Sequence, residues 1–150
     1  GVLSPGDSPG CLQFGGDVTF NASATLLIEI GGTTPCSDHD RITIANLLTL
    51  NGPRLEVRLI DGFIPAHGQR FTILEWGSLV GTFGDIDFSA AALTGDLAWD
   101  TDSLYSTGEL IVVEPANRVD EDIPIPLPAL IVLALSLMYL GGRSTRKGTI

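Results

Sequence analysis

The sequence predicts an all-β protein followed by one short C-terminal transmembrane helix. Three observations carry this. Short segments alternate polar and apolar residues with period two, separated by Gly, Pro, Asn or Asp. No window before Pro124 shows a helical period of useful length. Residues 129–140 (ALIVLALSLMYL) carry no charge and lead into a basic tail. A chain of 150 residues suits one compact domain. With 44% hydrophobic residues and a mean hydropathy of +0.31, it has the material for a core and excludes a disordered chain.

The elements follow in order. Residues 1–16 (GVLSPGDSPGCLQFGG) are dense in Gly, Pro, Ser and Asp and read as loop or tight corners. Thr25 to Ile30 places Leu26, Ile28 and Ile30 on one face. Arg41 to Ile44 is the next strand candidate. Arg54 to Leu59 alternates strictly: Leu55, Val57 and Leu59 face a core, and Arg54, Glu56 and Arg58 face water. Phe71 to Leu74 and Glu109 to Val113 complete the set. An internal echo links them. Val18 to Asn21 (VTFN) matches Leu48 to Asn51 (LTLN) at an offset of 30. Leu26, Ile28 and Ile30 match Leu55, Val57 and Leu59 at an offset of 29. Two such units fit either a solenoid with short coils or a β-sandwich.

Charge narrows the partners. The formal net charge is −10, with 18 acidic residues against 8 basic ones, so a phosphate backbone is repelled and nucleic acid is excluded. All the acids lie at or before Asp122, whereas the last eight residues hold Arg143, Arg146 and Lys147 and no acid. The first residue is Gly1 and the only Met is Met138, which reads as a processed product or a fragment. Residues 123–128 (IPIPLP) alternate with proline and are extended. A helix over 129–140 rises about 18 Å and one from Ile123 about 27 Å, against a hydrocarbon core of about 30 Å. The positive-inside rule puts the tail in the cytoplasm and the acidic body outside.

A proline motif, a short hydrophobic segment and a basic end together resemble the C-terminal sorting signals of PEP-CTERM proteins. Residues 125–129 (IPLPA) are similar to the VPLPA variant, although Pro-Glu-Pro is missing and the tail ends in Gly148, Thr149 and Ile150. The resemblance implies recognition of Pro126, Leu127, Pro128 and Ala129 by an exosortase-like processing protease, with Arg143, Arg146 and Lys147 stopping transfer. A second resemblance covers about residues 1–113. The opening GVLSPGDSPG, Asp40 to Ile44, Leu50 to Gly52, Phe71 to Leu74, Gly81 to Phe83, Trp99–Asp100 and Leu104 to Gly108 recur in order near the ends of autotransporter-like β-helical passengers. It implies a parallel β-helix or solenoid end, with the β-sandwich as alternative. The domains are then an all-β extracytoplasmic body over 1–116, a Pro- and acid-rich linker with the sorting motif over 117–128, a membrane segment over 129–142 and a cytoplasmic tail over 143–150.

Candidate chemistry is sparse. Cys11 and Cys36 form either a disulfide closing about 25 residues or two separate buried thiols, and no CxxC pattern points to zinc. Asp38, His39 and Asp40 read as a solvated turn, and His67 lies in a separate loop. Asp85/Asp87 and Asp100/Asp102 each place two carboxylates on one strand face. They read as surface acids, with Asp100 and Asp102 weak candidates for calcium, which needs six to eight oxygens. There is no nucleophile elbow and no phosphate loop. Asn21 to Ser23 fits a glycosylation sequon, incidental in a bacterial chain. Trp76, Trp99, Phe83 and Tyr105 read as core or corner residues.

The expected function is that of a C-terminal fragment of an exported bacterial protein, structural or adhesive, anchored at the membrane and then carried to the surface or matrix. No catalysis and no cofactor are expected; partners are the membrane, the processing protease and extracellular polysaccharide. A calcium- or carbohydrate-binding β-module is the alternative. The non-catalytic end of a larger secreted polysaccharide-active enzyme is the third reading.

Overall fold

The computed structural model describes residues 1–115. The chain enters with β1 (Val2–Leu3), β2 (Cys11–Phe14), β3 (Val18–Asn21) and β4 (Thr25–Ile30). It continues with the eleven-residue β5 (Arg41–Asn51) and with β6 (Arg54–Leu59), β7 (Arg70–Thr72) and β8 (Leu74–Thr82). It ends with β9 (Asp85–Ala90), β10 (Ala98–Asp100) and β11 (Glu109–Val113).

Two parallel sheets face each other. One has the order β1-β4-β6-β9. In the other, β2 and β3 share one edge of β5, and β8 takes the opposite edge. The echo in the sequence is the register itself: Val18 lies beside Leu48 and Asn21 beside Asn51, while Leu26 lies beside Leu55 and Ile28 beside Val57. Alternation then fixes what is inside. Leu26, Ile28 and Ile30 of β4, Leu55 and Val57 of β6, and Ile42, Ile44, Leu48 and Leu50 of β5 are all buried and form the core. Burying one such side chain contributes about 1.5–3 kcal/mol, which is why a one-residue slip is not tolerated.

The last third changes direction. β10, β11 and β7 form a three-stranded antiparallel sheet. Aromatic residues tie it to the parallel strands. Trp99 stacks on Phe88 at 5.4 Å between ring centres and meets Phe71 edge-on at 5.7 Å. Its indole N–H donates to the Ala91 carbonyl, and the Tyr105 hydroxyl accepts from the Phe83 N–H. Trp99 and Tyr105 are half-buried, each with its polar tip satisfied.

The expected fold is therefore corrected. A parallel β-helix end or a β-sandwich followed by a short transmembrane helix is not what the described residues form. They combine parallel and antiparallel sheets and contain no helix, and no helix among them is long and apolar enough to cross a membrane. Period-two alternation specifies a strand but not the direction of its partner, so the antiparallel sheet was not legible. Residues 11–14, read as loop, pair with Arg41–Ile44 as β2. The hydrophobic segment 129–142 lies outside the described residues.

Candidate functional site

The residues with chemistry gather where residues 31–40 return from β4 to β5. Cys36 stands there in a left-handed conformation with φ 74° and bonds Cys11 at the start of β2, the two Cα atoms 4.9 Å apart. Of the two alternatives for the cysteines, the disulfide is the one formed.

The next residues are not a solvated turn. His39 and Asp40 are both fully buried, the only buried polar side chains among the described residues. Asp40 Oδ1 accepts from the Gly10 N–H at 2.6 Å and Oδ2 from the Glu29 N–H at 2.8 Å. The carboxylate thus clips the start of β2 to the end of β4. Burial raises the Asp40 pKa above 3.8 despite these two donors. His39 lies with Nδ1 3.1 Å from the Gly32 carbonyl and Nε2 3.2 Å from the Thr72 carbonyl. Phe71 meets its ring edge-on at 5.6 Å. A neutral imidazole donates from only one nitrogen, so one of these two contacts is a hydrogen bond only in the imidazolium form.

Burial lowers the His39 pKa below 6.5, with the two carbonyls pulling the other way. Once pH falls below 6.5, the unfolded chain takes up a proton that the folded chain resists, so stability present above that value is lost on acidification. Asp40 has the opposite sign. Its contribution is present below 3.8 and lost as pH rises through the raised value. Denaturant titrations at about pH 7.5 and about pH 5.5 therefore show the native chain losing stability relative to a His39→Gln variant. Parallel profiles for the two proteins would refute this assignment to His39.

The other acids are held in local structure. Arg54 sends one guanidinium nitrogen to Asp85 and the other to Asp87. The Ser89 N–H and hydroxyl, and then Arg54, hold the Asp87 pKa low. A general acid for glycoside hydrolysis needs the reverse shift. Asp100 accepts from the Asp102 N–H at 2.7 Å, a local turn that uses the carboxylate the calcium reading needs. Among the described residues no group of three or more His, Cys, Asp or Glu is placed to hold a metal ion. His67 is exposed in the loop before β7.

An open cleft of about 300 Å³ is lined by Leu74, Glu75, Trp76, Ser106 and Thr107. Its polar groups are already engaged within the protein. Ser106 and Thr107 donate to the Ser103 carbonyl within their own turn, and Glu75 is paired with Arg41 at 2.9 Å. Pro126, Leu127, Pro128, Ala129, Arg143, Arg146 and Lys147, the residues of the expected sorting signal, lie outside the described residues.

Sequence reasoning missed the Asp40 clip. The signal was available: Gly10 and Asp40 are 30 residues apart, the same lag as the echo. No protein-family model, curated protein or solved structure matches this chain.

Proposed function

We propose that this chain is part of an exported bacterial surface or matrix protein with a structural or adhesive role and no catalysis of its own. The Cys11–Cys36 disulfide carries the reading, because such bonds persist in oxidising compartments outside the cytoplasm. The acidic composition supports it, keeping an exposed body soluble without attracting nucleic acid. Pro126, Leu127, Pro128 and Ala129 are the proposed recognition point for an exosortase-like protease. Arg143, Arg146 and Lys147 are the proposed stop to transfer.

The test is the thiol state in the native host. Cells are quenched with an alkylating agent, and the protein is labelled with maleimide before and after reduction. No label before reduction and both cysteines labelled after it is the expected result. Replacing Cys11 and Cys36 with serine should lower stability by about 3 kcal/mol. Free thiols on protein recovered from the cytoplasmic fraction would overturn the reading.

A further inference from the structure

Glycine follows an asparagine or an aspartate at two places in the chain, Asn51–Gly52 and Asp61–Gly62. Both pairs have the chemistry for ring closure. Attack of the next backbone nitrogen on the side-chain carbonyl carbon closes a five-membered ring, and glycine puts no Cβ in the way. In an open chain the asparagine pair reacts faster, because a carboxylate is the poorer electrophile.

The fold treats the two pairs differently. Asn51 ends β5, between Asn21 of β3 and Thr82 of β8. The Gly52 N–H donates to the Thr82 carbonyl at 3.2 Å, and the Asn51 amide reaches the Asn21 side chain at 3.4 Å. The buried Pro53 follows, and its carbonyl accepts from the Gly84 N–H at 2.9 Å. Nucleophile and electrophile are both held, and ring closure there requires the ends of three paired strands to open.

Asp61–Gly62 has no such restraint. The chain turns over residues 60–63, where the Phe63 N–H donates to the Ile60 carbonyl at 3.0 Å. Asp61 has φ 54° and Gly62 φ 71°. Two successive positive values define a type I′ turn, for which Asp-Gly is one of the few suitable pairs. The turn that selects these residues for their geometry thereby selects a reactive pair. Both are exposed. Among the described residues neither the Asp61 carboxylate nor the Gly62 N–H has a hydrogen-bond partner.

We propose that Asp61 is a site of spontaneous isomerisation to isoaspartate in the folded protein, and that Asn51 is protected. The Gly62 nitrogen attacks Cγ of the protonated Asp61 side chain and forms a C–N bond. The nitrogen gives up its proton and the carboxyl group its hydroxyl, so one water leaves. Water then adds to the main-chain carbonyl carbon of residue 61 and breaks its bond to the Gly62 nitrogen. The chain now runs through Cβ and Cγ, and an α-carboxylate is set free. One water has left and one has entered, so mass and oxidation state are unchanged. The turn gains one backbone carbon just before Phe63, which packs edge-on against Phe71 at 6.0 Å. The inference does not depend on the surface or matrix reading.

The experiment incubates the purified full chain for weeks in near-neutral buffer at body temperature. The protein is digested, and its peptides are separated and sequenced by electron-transfer fragmentation. The peptide holding Asp61 should divide into two species of equal mass, the new one isoaspartyl at residue 61. The isomerised fraction at Asp61 should exceed the deamidated fraction at Asn51 by about tenfold. The order should reverse in denaturant, where the sheet no longer holds Asn51. Asp61→Asn suits the same left-handed turn and should deamidate at residue 61 while folded. Asp61→Ser should stay a single species there. The proposal is overturned by an undivided Asp61 peptide, by deamidation at Asn51 that matches or outruns it in the native chain, or by an order unchanged in denaturant. It is also overturned if folded Asp61→Asn stays intact, or if Asp61→Ser divides as the native chain does.

Discussion

Replacing Asp40 with alanine is expected to cost about 4 kcal/mol of unfolding free energy, the largest loss from any single side chain described above. Two effects add. The Gly10 and Glu29 N–H groups lose an ionised acceptor at 2.6 and 2.8 Å. Both donors are then left without a partner beside a fully buried position, and each unsatisfied group costs about 1–3 kcal/mol. Asp40→Asn does not rescue them, because one arm of the amide is a donor facing a donor. The measurement is chemical denaturation of Asp40→Ala and Asp40→Asn against the native chain. A melting temperature lowered by roughly 15 °C corresponds to this loss in a domain of this size. A change under 1 kcal/mol in Asp40→Ala would mean that the clip is replaced by solvent.

Gly108→Ala is the second large effect, on the order of 3 kcal/mol, and its cause is steric. Gly108 has φ 74°, and a Cβ there would stand 1.8 Å from the Leu74 carbonyl oxygen and 3.2 Å from the Trp76 ring. The backbone cannot retreat, because the Gly108 carbonyl accepts from the Ile73 N–H and, at 3.3 Å, from the Leu74 N–H. The antiparallel sheet is seated on β8 through this point. Near-ultraviolet circular dichroism should report it, since the Trp76 ring adjoins the disturbed contact. Ser106→Ala, two residues earlier and exposed, is the comparison and should leave the spectrum unchanged.

How much of this was legible depended on whether the information was local. Arg54–Leu59 and Thr25–Ile30 were readable to the residue, because strict alternation with one buried face is a property of the segment itself. Arg41–Ile44 was found, but only as the first part of β5. The echo supplied Leu48–Asn51 as a separate piece, and the bulge between Ile44 and Leu47 interrupts the alternation that would have joined the two. Phe71–Leu74 read as one strand and is two, since Thr72 ends the antiparallel pairing, Ile73 lies between, and Leu74 starts the parallel one. Residues 75–82 went unread, and 85–90 showed only as a strand face with Asp85 and Asp87, because an edge strand buries too little to alternate cleanly: Gly77, Ser78, Val80, Gly81 and Thr82 are all exposed.

The site was less legible than the fold. An aspartate and a histidine beside a turn have the composition of a solvated loop. Their burial is set by partners on the backbone, Gly10, Glu29, Gly32 and Thr72, and a backbone group carries no letter in the sequence. The disulfide was readable as an alternative but not as a fact, because pairing depends on Cα separation.

The constant lag between paired strands has a consequence for how the chain reaches its final form. From β5 onward, each strand of the parallel sheets lies beside residues about thirty positions earlier, as Leu48 does with Val18 and Leu55 with Leu26. Loop closure therefore costs nearly the same entropy at each addition, with no increase as the stack grows. A chain delivered N-terminus first always finds its template already laid down and waits for nothing still to come. β7 is the exception, because Phe71 pairs with Leu110 far downstream. Growth by sequential zipping ends there, and the antiparallel sheet closes only when the last strand has arrived.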